Sequence, residues 1–459
     1  TRGILKTYST SPASGTFTSA ITNNTITITA GFTSGAFEYQ GIRSDGLTTL
    51  FAGSTININS NIITGGTIAA GGTPTTIAIF NSSAAGTLNI NSNQVKAFTS
   101  LATAGAFTGI SNTVNVNNLS ISSNQLGDAG ADAITTSGGT MIGITATAST
   151  TTPVKVFNSN IIRNFTTSAI VSAGITGMTV TGGTTSCTVN SNTISNMTAG
   201  GISTGISIGG AAGTNSTATL NTVNLFSSTS SLTAITLPTG ANCTFDNNTI
   251  TNISTTGGGG INLIGIQTQI PSTLSANVLN GFTVNSGTPG NANIYGVLQA
   301  GGATVNINGN TFSGFSSNSI TGSATGSQGL VDAVYVAAGT TTNIGKNNIY
   351  NLALTNAAST TSFVHGIHIN AGTTVNVSNN YISDLRHAGS NADGIRGIGI
   401  TNSTASTSYN LYFNTIYLNA TTSQATFGTT GLYHTSSATA TTVALNLRNN
   451  IIVNVSAPG

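Results

Sequence analysis

One phrase returns along the whole chain: an apolar residue, two residues, asparagine, one residue, an aliphatic residue, and often another apolar residue three positions on. It reads FNSNIIRNF at 157–165, VNSNTISNM at 189–197, FDNNTITNI at 245–253 and LSANVLNGF at 274–282. It continues as INGNTFSGF at 307–315, IGKNNIYNL at 344–352, VSNNYISDL at 377–385 and LRNNIIVNV at 447–455. Weaker copies complete a series of anchors: Asn24, Asn61, Asn93, Asn124, Asn160, Asn192, Asn221, Asn248, Asn277, Asn310, Asn347, Asn380, Asn414 and Asn450, spaced 27 to 37 residues apart. The copy at Asn221 is degenerate. A repeat of this length restricts the chain to architectures in which each unit buries its apolar face against the next.

A second phrase precedes the anchor. GIHINAGTTVNV at 366–377 has counterparts in AVYVAAGTTTNI at 333–344 and GVLQAGGATVNI at 296–307. Each unit thus holds a short strand, a Gly-containing turn, a second strand, the Asn turn and a third strand, closed by a variable Gly/Ser/Thr-rich loop. Beta-branched residues and the scarcity of helix formers support strands throughout. Three strands per unit fits an all-β fold, a single right-handed parallel β-helix (solenoid) of about 14 three-stranded coils, and not a propeller, whose blades need four. Residues 1–20, with Arg2 and Lys6, read as an N-terminal cap or exchanged strand, and 21–459 as the β-helix.

Alternation along the strands places the residues three before, two after and five after each anchor inside; in one coil these are Val189, Ile194 and Met197. The anchor itself is expected to take the left-handed backbone region, which Asn tolerates well. Stacked coils bring successive anchors about 4.8 Å apart, so their amides can donate and accept along a ladder. That ladder is assigned to Asn61, Asn93, Asn160, Asn192, Asn248, Asn277, Asn310, Asn347, Asn380, Asn414 and Asn450. An aspartate ladder would stack like charges, and the chain has 55 Asn against 7 Asp. Only 18 of 459 residues are Asp, Glu, Lys or Arg, with a net charge of +2. This excludes the clustered basic surface that nucleic acid requires. No apolar run is long enough for a transmembrane helix.

The Asn-turn coils resemble the right-handed parallel β-helix superfamily, whose pectate-lyase members carry such ladders. More narrowly, NTIYLNATTSQATFGTTGLYHTSSATATTVALNLRNNIIVN at 414–454 resembles the large Thr/Asn-rich surface proteins of Bacteroidetes. That resemblance implies a secreted protein at the bacterial cell surface, exported by the type IX route.

Cys187 and Cys243 both lie five residues before an anchor, an inward position held elsewhere by Ile56, Leu88, Leu119, Val305, Val375 and Leu445. With the Asn221 coil between them they would stand roughly 9.6 Å apart, too far for a disulfide. They are expected to be free, buried thiols. The N-x-S/T triplets, as at Asn164, Asn196 and Asn402, follow from composition. GGGG at 257–260 opens no helix and so is no phosphate loop.

The ionisable residues are uneven. His365, His368, Asp384, Arg386, His387, Asp393 and Arg396 fall within 32 residues, and the register stacks Tyr335 on His368 and Asp332 on His365. Asp332, Tyr335, His365, His368, Asp384, Arg386, His387, Asp393 and Arg396 are therefore the candidate patch. It is either a sugar-binding or acid/base surface or a solvated outer face kept charged against sideways association. His365 and His368, three apart on a strand, should point to opposite faces and make a poor metal pair. No calcium-ligand spacing appears. Neither a metal nor another cofactor is expected. Glu38, Arg43 and Asp45 form a smaller group suited to local ion pairing.

Sparse ionisable chemistry points away from an enzyme. The expectation is a structural extracellular protein, a bacterial surface filament subunit or stalk/adhesin segment. It would associate end to end or continue into further domains, because VNVSAPG at 453–459 offers no cap. The alternative is a polysaccharide-binding or polysaccharide-degrading β-helix, with surface glycans as partners of the 332–396 patch. Ice binding by Thr-x-Thr, prominent at 25–29, lacks a recurring register. Few titrating groups also predict little change of stability between about pH 4 and 10.

Overall fold

The computed structural model describes the chain except residues 1, 9–15, 29–36, 48–51, 70, 148–153, 169–172, 182–185, 210–214, 239, 241, 258–259, 287–291, 319–328, 357–361, 391–392, 403–406, 423, 425, 436–443 and 459. The regular secondary structure of the described residues is parallel β-strand, with one 3₁₀ turn at Gly130–Asp132. None of their helices is long and apolar enough to cross a membrane. Two compact units are present, residues 1–229 with 239–242, and residues 230–238 with 243–459.

Both units are parallel β-solenoids with three sheets. In the first, the coil of Asn124 runs through Ala106–Asn112, Val116–Ser122 and then Gln125–Leu126 with Ile134–Thr136. Its strands pair in register with the next coil, Phe107 against Met141, Leu119 against Lys155 and Gln125 against Ile161. In the second, the coil of Asn347 runs through Leu330–Val336, Thr341–Gly345 and Asn348–Leu354. The degenerate Asn221 copy is a true coil, with Asn215–Thr219 pairing Ser216 against Cys187. Arg2–Thr7, from the segment expected to cap or exchange, pairs in parallel with Glu38–Asp45 of its own unit. Two residues of the GGGG run, 258 and 259, lie outside the described residues.

The inward columns are those the repeat specified. Cys187, Val189, Ile194 and Met197 are all buried, and neither Cys187 nor Cys243 forms a disulfide. One inward residue breaks the pattern. Lys155 sits five before Asn160, between Leu119 and Cys187 in register, and is fully buried. Aligning the coils on their anchors marks this position, although nothing in the overall composition does.

The asparagine ladder is present and more complete than stacking alone demands. In the first unit the side-chain Nδ2 of each anchor from Asn24 to Asn192 donates to the Oδ1 of the next at 2.8–3.0 Å. The second unit repeats this from Asn248 to Asn450 at 2.9–3.0 Å. For Asn192, Oδ1 accepts from both the Nδ2 and the backbone N of Asn160, at 2.9 and 3.0 Å. Its Nδ2 donates to the carbonyl of Phe157 at 2.8 Å and to Asn221 Oδ1 at 3.0 Å. All four hydrogen-bonding sites of a buried amide are thereby used, which no other side chain of that size can do. A second, outer ladder runs four residues before the anchors. Asn343, Asn376, Asn410 and Asn446 each donate to the Asn of the preceding coil at 2.7–2.8 Å, beginning on Asn306.

The anchors are not the left-handed residues. Positive φ belongs to the residue before each, including Ser60, Ser92, Ser159, Ser191, Leu220 and Phe413, at 55° to 58°. The anchor must aim its amide inward and donate its own N–H to the next coil, so the sharp step falls on its outward-facing predecessor. Asn does occupy the left-handed region at a second turn, four residues after the anchor, in Asn164, Asn196, Asn252 and Asn351.

The first sheet departs from simple alternation. Each strand carries two consecutive inward residues, a small one and then an aliphatic one, such as Gly143–Ile144, Gly177–Met178 and Gly366–Ile367. A Cβ on Gly366 would lie 2.6 Å from the inward Ile382 side chain and 2.7 Å from the Gly397 carbonyl. The small residue lets the strand bend around the core, and side-chain phase slips by one position there.

Candidate functional site

That phase slip builds the site. On Phe363–Ile369, Val364, Ile367 and Ile369 face the core. His365 and His368 flank the Gly366–Ile367 slip and therefore emerge on the same outer face. This corrects the expectation of opposite faces, which assumed unbroken alternation. Asp332 precedes the slip of the previous coil and is paired with His365, while Tyr335 is paired with His368.

Asp332 is fully buried and bridges the two imidazoles. Its Oδ1 lies 2.8 Å from His365 Nδ1 and its Oδ2 lies 2.9 Å from His368 Nδ1. The rings stack with centroids 4.2 Å apart. Around them, Tyr335 packs on His368 and on Tyr295, and Phe363 stacks on His365. His368 Nε2 is 3.0 Å from Thr401 Oγ1, which is 3.0 Å from Asn370 Oδ1. His365 Nε2 is buried and has no hydrogen-bond partner.

Electrostatics fix the charge states of the Asp332–His365 pair. Burial works to raise the Asp332 carboxyl, but the two imidazoles prevail and hold it below the usual carboxylate range. Burial drives His365 down to about 4 against the attraction of Asp332. At neutral pH this pair is a carboxylate accepting from a neutral imidazole. An ionised carboxylate has no proton to give, so His365 Nδ1 carries the hydrogen and its unpartnered Nε2 carries a lone pair. A cleft of about 300 Å³ opens here, lined by Tyr335, Phe363, His368, Asn370, Arg396 and Thr401 among others.

The rest of the patch divides. Arg396, paired with His365 in register, borders the cleft but is engaged. Its Nε donates to Asp393 at 2.9 Å, and its guanidinium lies between Phe363 and Tyr433. Arg386 and His387 lie on a third-sheet strand, Leu385–His387, with Asp384 at the turn just before it, and the three line a separate cleft of about 400 Å³. There Arg386 pairs with Asp384 at 3.0 Å on an exposed surface. His387 is buried, accepts from the Gly389 N–H and donates from Nε2 to the Ser362 carbonyl. Both of its nitrogens serve the backbone, and burial holds it at about 4. The nine residues expected as one patch are thus two clusters, and only Asp332, His365 and His368 present a converging set of donors. Sequence reasoning overlooked Thr401 and Asn370, whose only sequence signal is their place just beyond the first-sheet strands. The smaller Glu38, Arg43 and Asp45 group is a local network, with Arg43 on Asp45 at 2.8 Å and Gln40 bridging to Glu38.

Comparison with protein-family models, with curated proteins and with solved structures finds no match to this chain.

Proposed function

We propose that the chain is a structural segment of a secreted bacterial surface protein, a filament or stalk element akin to the Thr/Asn-rich surface proteins it resembles. Its role would be scaffolding and not catalysis. One observation carries this reading. An uncharged asparagine ladder joins coil to coil from Asn24 to Asn221 and again from Asn248 to Asn450. A stack in which each coil is held chiefly by its neighbours suits a force-carrying or spacing element. Sedimentation and electron microscopy across a concentration series test the reading. Assembly into filaments supports it, and a strictly monomeric chain at high concentration refutes it.

The aromatic-walled cleft beside Asp332 favours a second reading, binding of a surface polysaccharide by stacking on Tyr335 and Phe363. Glycan-array binding that Tyr335→Ala removes would support it, and no glycan binding by the native chain would dismiss it.

A further inference from the structure

Three side chains from two neighbouring coils converge at one buried point. The donor atoms of Asp332, His365 and His368 all lie within 4.8 Å of one another. The structure assigns them a binding site for one divalent first-row transition-metal ion of the zinc class. Two imidazoles and one carboxylate make a donor set suited to zinc, cobalt, nickel or iron, whereas calcium and magnesium prefer a shell of oxygens.

The spacing is close to that around a bound ion. Tetrahedral ligands at about 2.1 Å from a metal sit roughly 3.4 Å from each other. The carboxylate oxygens and Nδ1 atoms are 2.8 and 2.9 Å apart. An ion that replaces the two bridging protons therefore needs each pair to open by only roughly 0.5 Å. It also supplies the positive charge that the fully buried Asp332 otherwise draws from its neighbours.

The hydrogen bonds beyond His368 point the same way, whereas His365 Nε2 has no such acceptor. Thr401 has one hydroxyl proton, and both His368 Nε2 and Asn370 Oδ1 are within 3.0 Å of its oxygen. A neutral His368 with its proton on Nδ1 leaves two acceptors competing for that proton. With Nδ1 on an ion, Nε2 carries the hydrogen and donates to Thr401, which donates to Asn370, so each contact has one donor. This is the outer-shell pattern that fixes a ligating histidine. The other way to satisfy the chain is an imidazolium on His368 paired with Asp332. Gly399 supplies the space beside the second ring, since a Cβ there would lie 2.7 Å from His365 Cδ2 and 3.1 Å from Nε2. On the corresponding position of the two preceding coils stand Tyr335 and His368.

The test uses the chain with no appended histidines, stripped with chelator and titrated with Zn²⁺ calorimetrically and with Co²⁺ by visible absorption. One ion per chain is expected, with a cobalt d–d band. Affinity should fall by more than about 100-fold in Asp332→Asn and His368→Ala, and about tenfold in Asn370→Ala, which touches only the outer shell. His434→Asn, two coils on from His365 and His368 and paired with Ile400 in the first sheet, should leave binding unchanged. If Asp332→Asn and His368→Ala fail to fold, Asn370→Ala still decides. Absence of stoichiometric binding by the native chain overturns the proposal and leaves the imidazolium pair. Undiminished affinity in folded Asp332→Asn, or in Asn370→Ala, overturns it equally.

Discussion

Replacing Asn192 by aspartate changes one atom and should unfasten the inner ladder at one coil. Asn192 donates to the Phe157 carbonyl and to Asn221 Oδ1, and accepts two hydrogens from Asn160. An ionised aspartate keeps the two acceptances, loses both donations and sets a buried carboxylate against two oxygens. Each lost bond is worth about 1 kcal/mol, and a buried acceptor left unsatisfied costs about 1–3 kcal/mol. Asn221 Oδ1 still accepts from the Asn192 backbone N–H, so the unsatisfied acceptor is the Phe157 carbonyl. The expected destabilisation at pH 7 is therefore about 3–5 kcal/mol. Asn192→Ala, which forfeits four bonds and leaves a small void, should cost at least about 4 kcal/mol.

The Asn192→Asp variant carries a signature that Asn192→Ala lacks. Burial among acceptors raises its carboxyl above the unfolded value, so the native state holds the proton over a pH range where the unfolded chain has lost it. Stability then falls as pH rises through that range, and acidification restores part of the loss because a protonated carboxyl regains one donor. A stack of coils need not unfold in one step. The assay is accordingly native-state hydrogen exchange at the backbone amides of Asn160 and Thr193, supported by denaturant melts at several pH values. Destabilisation below about 1 kcal/mol for both variants, or an Asn192→Asp penalty that does not depend on pH, would refute the account of the ladder as a fully satisfied network.

Lys155→Met should stabilise the first unit at pH 7 by at most about 3 kcal/mol, because burial lowers the ammonium from 10.5 to about 8 while Met forfeits the hydrogen bond that Nζ gives the Thr181 carbonyl. The unfolded chain binds the extra proton between those values, so wild-type stability rises with pH there and the gain from Met shrinks, as melts from pH 7 to 10.5 would reveal. His387 is held at about 4 against an ordinary 6.5, so it costs stability as pH falls through that window. His387→Gln should make the acid limb of the stability curve shallower without flattening it, because His365 is held at about 4 as well. Cys187, pushed up to about 12 by burial, should resist iodoacetamide in the native state and react once denatured, with labelling followed by mass spectrometry. Asn376→Ala in the outer ladder should cost at most about 1 kcal/mol in a denaturant melt, because water replaces its partners there.

Much of the architecture was readable because stacking imposes one environment on each column. Asn160, Asn192 and Asn347 recur at matching steps since every coil needs the same four-way hydrogen bonding at the same corner. The burial of Val189, Ile194 and Met197 follows from the same alignment. The left-handed turn falls one residue before the anchor that the sequence predicts, because composition registers Asn as a turn former without saying whether its side chain points in or out. Ser191 and Leu220 hold that conformation although neither is favoured there, since the coil closure imposes it. The histidine pair departs from expectation for a related reason. A period of two does not extend across Gly366, where packing against Ile382 bends the strand.

The sequence by itself determined that this chain is a stack of three-stranded coils joined by uncharged amides, because a side chain repeated at strand spacing meets its own kind and a repeated charge would repel itself. Only the tertiary structure decided where chemistry collects. A one-residue slip in side-chain phase, set by small residues packed against the core, turned His365 and His368 to the same side and sealed Asp332 between them. The same folding sent Arg386 and His387, with Asp384 at the turn before them, to another sheet, since position around the coil, and not distance along the chain, determines which side chains meet.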